Sequence, residues 1–198
     1  MKCESYVLQN KSEVAALIDL FRGENVRSYL EIGSKFGGSL WLIANALPIG
    51  SRIVSVDLPH GDQSFKENEA HLRQCVDTIR ARGYDSHLII GDSTNPSVIE
   101  QVRKLGPYDA VFIDANHTIP YVTKDFENYR GMGRMIAFHD IAFLREAGMD
   151  KGKKPIEVPI FWNDIKTKHR HFEIKHEPVR GEPGRRKCDN GIGVLWPT

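Results

Sequence analysis

Residues 12–22, S-E-V-A-A-L-I-D-L-F-R, repeat apolar side chains close to every 3.6 positions behind a serine cap, and predict a leading helix. After Gly23-Glu24-Asn25 the spacing shortens to that of a strand, V-R-S-Y-L-E-I (26–32). A helix over 37–47 follows, stopped by Pro48 and Gly50, and then a second strand, R-I-V-S-V-D, ending at Asp57. A long polar helix over 63–82 closes at Gly83 and leads to a third strand, S-H-L-I-I-G-D. Pro96 opens a further helix, P-S-V-I-E-Q-V-R-K-L. Y-D-A-V-F-I-D is the fourth strand, a helix spans 120–129, and R-M-I-A-F-H-D is the fifth strand. Short strands alternating with helices predict an α/β fold: a parallel sheet with helices on both faces.

Beyond residue 145 the rhythm changes. The loop E-A-G-M-D-K-G-K-K-P precedes a helix over 158–168 and two closing strands, H-F-E-I-K-H and I-G-V-L-W. The segment between those strands is too long and polar for a tight hairpin. No repeat, low-complexity run or linker divides the chain, so residues 1–198 are expected to form a single domain.

Composition narrows the function classes. With 27 basic and 26 acidic side chains, a net charge of +1 gives no electrostatic reason for nucleic-acid or anionic-membrane binding. No window approaches the roughly 20 apolar residues of a membrane span, and the N-terminus lacks the apolar core of a signal peptide. Cys3, Cys75 and Cys188 are scattered and form no C-x-x-C pair, which argues against a disulfide framework and fits a reduced, cytoplasmic setting.

The chemistry gathers at the carboxyl ends of the strands, where ligands of an open parallel sheet bind. Strand one closes on Glu31, two on Asp57, three on Asp92, four on Asp114 and five on Asp140. Five acids along one edge would repel a bare phosphate. They suit a ligand bearing hydroxyls, amines and positive charge, or a cation. In E-I-G-S-K-F-G-G, Glu31 offers a carboxylate to a ligand ammonium, while Gly33, Gly37 and Gly38 allow close backbone approach. Asp57 stands about where a second-strand acid meets ribose hydroxyls, and Gly91-Asp92-Ser93 can border an adenine. A nucleoside pocket that also recognises an amino acid, and tolerates a cation, points to S-adenosylmethionine. A dinucleotide loop would read G-x-G-x-x-G, without a glutamate ahead of it and without Lys35 at the middle glycine.

E-I-G-S-K-F-G-G-S-L, V-F-I-D-A-N-H-T-I-P-Y-V-T-K-D-F and M-I-A-F-H-D-I resemble, in this order, the class I S-adenosylmethionine-dependent methyltransferases. More narrowly they resemble small-molecule O-methyltransferases, a group including macrolide sugar methyltransferases and cephalosporin-hydroxylase-like proteins. The resemblance covers about residues 25–145 and implies a Rossmann-like, seven-stranded sheet whose last strand inserts antiparallel. It implies that Glu31, Gly33, Ser34, Gly37 and Gly38 cradle the methionine part, that Asp57 holds the ribose, and that Asp92 and Ser93 lie near the adenine. From the macrolide branch it implies a D-x-x-H motif at Asp114 and His117, with His117 catalytic and Asp114 and Asp140 as metal ligands. His139 stands where metal-dependent relatives carry an acid, so the need for a divalent ion such as Mg²⁺ stays open.

Methyl transfer requires an aligned acceptor and removal of its proton, and a histidine suits the base role. His117 is one base candidate and His139 the other. Each has a plainer alternative, His117 as a helix cap and His139 as a group supporting the site. His169, His171 and His176 are read as a non-metal cluster, the K-G-K-K and R-R-K runs as solvated loops, and Trp162 and Trp196 as packing residues. A nicotinamide oxidoreductase and a non-catalytic S-adenosylmethionine-binding protein remain as other classes. The expected partner is a small hydroxyl compound, and association with further copies of the chain is open.

Overall fold

The computed structural model describes residues 9–58, 68–142, 155–175 and 190–197. In chain order these form α1 (Lys11–Gly23), β1 (Ser28–Ile32), α2 (Gly38–Ala46), β2 (Arg52–Asp57), α3 (Asn68–Ala81), β3 (Asp85–Ile90) and α4 (Pro96–Leu105). There follow β4 (Tyr108–Ile113), α5 (Ile119–Tyr129), β5 (Gly133–His139), α6 (Val158–Ile165), β6 (Arg170–Ile174) and β7 (Ile192–Trp196).

The strands make one seven-stranded sheet in the order β3-β2-β1-β4-β5-β7-β6. Strands β1 to β5 are parallel neighbours, and β7 runs antiparallel between β5 and β6. The chain therefore winds outward from β1 in one direction and returns to β4 on its other side. That reversal opens a crevice at the carboxyl ends of β1 and β4, the usual ligand position in such sheets.

The central strands are buried on both faces, which explains their near-continuous apolar composition. One face packs Tyr29, Phe112 and Val194 against Leu17 and Phe21 of α1, Ile43 of α2 and Ile79 of α3. The other packs Leu30, Val111 and Phe138 against Val102 of α4, Phe126 of α5 and Trp162 of α6. Trp162 is 1% exposed and lies 6.1 Å from the Phe138 ring, so it is a core residue. Trp196 carries the guanidinium of Arg170 over its ring at 4.2 Å, also a packing contact.

Several boundaries differ from the sequence reading for local reasons. The cap of α1 is Asn10, whose side chain accepts the Ser12 backbone N–H, so the helix begins at Lys11. The helix expected over 158–168 is α6 plus a 3-10 turn at Lys166–Lys168. Of the helix expected over 63–82, the described part is α3; the segment before Asn68 lies outside the described residues. So do His176, both basic runs, Cys3 and Cys188. His169 packs edge-on against Phe126 and His171 against Trp162, and neither belongs to a potential metal-holding group among the described residues. No described helix is long and apolar enough to cross a membrane.

Candidate active site

The glycine loop leaves β1 at Gly33, whose φ is +90°. A Cβ there would lie 2.3 Å from the Asp114 backbone oxygen. Only glycine fits, and the loop and the end of β4 are in backbone contact. Lys35 also adopts a positive φ, 50°, taking with a side chain the left-handed turn that a dinucleotide loop gives to glycine. Its backbone N–H donates to the Asp57 carboxylate, which also accepts the Leu58 N–H at 2.7 Å. Gly37, with φ 82°, packs on α3: a Cβ would meet the Cys75 Sγ at 2.8 Å. Its lack of a side chain lets the start of α2 approach α3 closely.

Glu31 has no exposed surface. Its carboxylate accepts the Tyr29 hydroxyl at 2.5 Å and the Ser39 hydroxyl at 2.8 Å. Burial pushes its pKa up to about 7, although those hydroxyls favour the charged form. Turned inward in this way, Glu31 braces β1 against the start of α2. Ser34 is buried beside it, accepting the Ser55 hydroxyl at 2.7 Å.

At the far side of the crevice four side chains from β4, β5 and the turns behind them converge. Asp114 Oδ1 lies 3.2 Å from His117 Nε2 and 3.3 Å from His139 Nδ1. Asp140 approaches His117 Nδ1 at 3.5 Å and His139 Nδ1 at 3.3 Å. Asp140 reaches this position from a left-handed backbone, φ 62°. The side chain of His117 is 30% exposed and that of His139 only 6%.

Electrostatics follows this geometry. Burial opposes ionisation of Asp114, but the His139 charge and hydrogen bonds from both histidines outweigh it and hold the carboxyl well below the usual range. Burial likewise works against protonated His139, yet Asp114, Asp140 and Glu13 raise it to about 9. His117 is raised as well, because its bond to Asp114 and the charges of both aspartates overcome desolvation.

Donor atoms of Asp114, His117 and Asp140 lie within 4.8 Å of one another, a set of two oxygens and one nitrogen that fits a divalent ion. The sequence reading had two of these three as ligands. Asp92 is exposed and accepts the Thr94 N–H and hydroxyl, both at 2.8 Å, while Ser93 points to Asp125 on α5.

Other contributors carry no local signal. Gln9 Nε2 donates to Asp114 Oδ2 at 2.7 Å from 105 residues away. Glu157, just before α6, donates its N–H to the His117 carbonyl at 2.7 Å and accepts the Ile119 N–H at 2.9 Å. It thereby caps α5, whose Thr118 makes no side-chain cap bond.

A family model described as a methyltransferase domain matches residues 30–141. No curated protein sequence matches the chain. Among solved structures, the O-methyltransferase TomG of Streptomyces achromogenes, involved in tomaymycin synthesis and in complex with SAM, is 19% identical. It superposes with a TM-score of 0.65 over 96% of this chain and 81% of that one. An O-methyltransferase of Bacillus cereus in complex with SAH is 16% identical, with a TM-score of 0.65 over 94% of this chain and 81% of that one. The methyltransferase domain of bacterial CtHen1 is 10% identical, with a TM-score of 0.58 over 92% of this chain and 96% of that one.

Proposed function

The chain belongs to the methyltransferase-domain family, and from that premise we propose that it transfers a methyl group from S-adenosylmethionine to a hydroxyl of a small molecule or sugar. The observation that carries this reading is a junction. Gly33, in the loop assigned to the cofactor, touches the backbone of Asp114, which in turn holds His117. Cofactor loop and candidate base are thus joined through a single residue, which suits a direct displacement between two bound molecules.

S-adenosylmethionine, when bound, supplies a methyl made electrophilic by its cationic sulfur. The residues of the chain do the rest. Gly33 and the turn at Lys35 shape the loop for the methionine part, and Glu31, Ser34 and Ser39 brace it from beneath. Asp57 offers its carboxylate to the ribose hydroxyls, and the 91–95 loop borders the base. His117, the exposed histidine, takes the acceptor's proton onto an imidazole nitrogen. His139, buried, balances the charge of Asp114 and Asp140. With a divalent ion held by Asp114, His117 and Asp140, the ion would take over the task of His117, lowering the acceptor's pKa and orienting its oxygen, because a metal-bound imidazole has no lone pair for the proton.

The Lys35 turn and the inward glutamate speak against a nicotinamide cofactor. A near-neutral chain supports a small acceptor over nucleic acid. Release of S-adenosylhomocysteine, measured against a panel of phenols, sugars and aliphatic alcohols, tests the proposal. Turnover with a hydroxyl compound supports it. Binding of S-adenosylmethionine without turnover on any acceptor class would leave a binding protein on the same fold.

A further inference from the structure

The first turn of α1 is fastened to the ends of the two strands that carry the acid–histidine cluster. Asn10 caps the helix, its side chain accepting the Ser12 N–H at 3.0 Å. Beside that cap, Gln9 Nε2 donates to Asp114 Oδ2 at 2.7 Å, just beyond the end of β4. One turn later the buried Glu13 accepts the Gly191 N–H at 2.9 Å. The Gly191 carbonyl in turn accepts the N–H of Ile141, the residue after Asp140, at 3.4 Å. Gln9 thus approaches Asp114 from a helix end that is itself anchored.

Asp114 Oδ1 faces both histidines, His117 Nε2 at 3.2 Å and His139 Nδ1 at 3.3 Å, and Oδ2 faces Gln9. Bonds on one oxygen alone would let the carboxylate pivot about it; the bond to Oδ2 fixes its plane. Of the two ends of the Gln9 amide only the nitrogen can bond a carboxylate, so the direction of that bond is settled. The His117 ring stands between two carboxylates, Asp114 at Nε2 and Asp140 Oδ2 at 3.5 Å from Nδ1. A neutral imidazole has one N–H and one lone pair, so it donates to only one of them. The Asp114 distance lies within the usual range of a hydrogen bond and the Asp140 distance beyond it. With Asp114 held in plane, the proton rests on Nε2 and Nδ1 keeps the lone pair.

We infer that Gln9 is a positioning residue: by fixing the plane of Asp114 it holds the His117 proton on Nε2 and leaves Nδ1 to take the proton of the methyl acceptor. In that step the acceptor O–H bond breaks and an Nδ1–H bond forms. The freed electron pair on the acceptor oxygen bonds the methyl carbon, whose bond to sulfur breaks to leave a neutral thioether. The transferred proton arrives beside Asp140 Oδ2, so the resulting imidazolium has a carboxylate at each nitrogen. This role of Gln9 rests on the reading of His117 as the base.

Long-range proton–nitrogen correlation spectra of the full chain, freed of metal by chelation and at a pH where the His117 ring is neutral, test it; the signal lost in His117→Ala identifies the ring. In the parent, Nε2 should show the shift of an N–H nitrogen and Nδ1 that of a lone-pair nitrogen. Gln9→Met keeps length and bulk but removes the donor, so its two shifts should move toward each other as the tautomers mix. With a hydroxyl acceptor, Gln9→Met should lower kcat about ten-fold and leave KM and S-adenosylhomocysteine affinity unchanged. Added to His117→Ala it should cost nothing further, because the two residues act as a unit. A parent ring protonated at Nδ1, unchanged shifts in Gln9→Met, or a kcat loss that adds to that of His117→Ala would overturn the inference. If Gln9→Met does not fold, Gln9→Ser takes its place with the same expectations. Shifts that respond as expected, with no hydroxyl compound methylated, would instead refute the proposed reaction and leave the hold of Gln9 on the ring standing.

Discussion

Asp114 and His139, at the ends of adjacent strands β4 and β5, stand with Oδ1 and Nδ1 3.3 Å apart in the buried floor of the site. The pair gives His139 a folded-state pKa of about 9, above its ordinary 6.5. A raised histidine contributes stability that is fully present below its unfolded pKa and is lost as pH rises through the folded one. For Asp114, whose pKa is depressed, the contribution is present above the ordinary carboxylate value and disappears only in strong acid. Stability from this pair should therefore be greatest between about pH 4 and 6.5 and fall by a few kcal/mol, roughly, toward pH 9–10. Urea denaturation followed by tryptophan fluorescence should show that decline in the parent. His139→Gln should be less stable at pH 6 and lack this part of the alkaline decline; an equal decline in both would remove His139 as its cause.

Gly33 and Gly50 have nearly the same backbone conformation, φ +90° and +85°, but different surroundings. A Cβ on Gly50 meets nothing within 4 Å, and one on Gly33 meets the Asp114 backbone. Gly50→Ala should cost only the left-handed strain, about 1–3 kcal/mol. Gly33→Ala should cost clearly more and also displace Asp114, so cofactor binding should fall in that variant alone. Equal urea midpoints for the two would mean that the backbones of Gly33 and Asp114 are not in tight contact.

Much of this was readable from the chain because parallel strands write themselves plainly. Y-D-A-V-F-I and R-M-I-A-F-H are continuous apolar runs that close on polar residues, and those residues fell at one edge as expected. Asp114, His117 and Asp140 were legible for the same reason: each follows a strand whose end is unmistakable. Glu31 was legible as a residue of β1, but its bonds were not, because a strand's period does not say which face lies beneath a helix. Tyr29 donates to it from two residues earlier on β1, and Ser39 donates from α2, a contact made by packing that helix on the sheet. Gln9 and Glu157 were invisible, since bonds across 105 and 38 residues leave no local pattern. The Asn10 cap was missed because Asn10 and Ser12 are both good caps, and the choice rests on backbone geometry.

His117 is the exposed member of the cluster and should carry the proton transfer. His117→Ala should lower turnover by roughly 10²–10⁴-fold while leaving S-adenosylhomocysteine affinity nearly intact. Undiminished turnover with a confirmed acceptor would move the base role away from His117.

The Asp114, His117 and Asp140 donors make the metal question direct. Manganese binding followed by electron paramagnetic resonance should reveal one site in the parent and none in Asp140→Asn, and activity lost on chelation should return with Mg²⁺ or Mn²⁺. Full activity after exhaustive chelation, with no bound manganese in the parent, would leave charge balance to His139 and the two aspartates.

The central claim is that the crevice at the ends of β1 and β2 binds S-adenosylmethionine, and isothermal titration of that compound into the parent and into Asp57→Ala tests it most directly. Asp57 accepts backbone N–H groups from Lys35 and Leu58 and is placed to accept the ribose hydroxyls. Hydrogen bonds to a charged group are worth about 1.5–3 kcal/mol, so the variant should bind ten-fold or more weakly, and NAD should not bind either protein. Binding of NAD in place of S-adenosylmethionine, or equal S-adenosylmethionine affinity in parent and variant, would contradict the account.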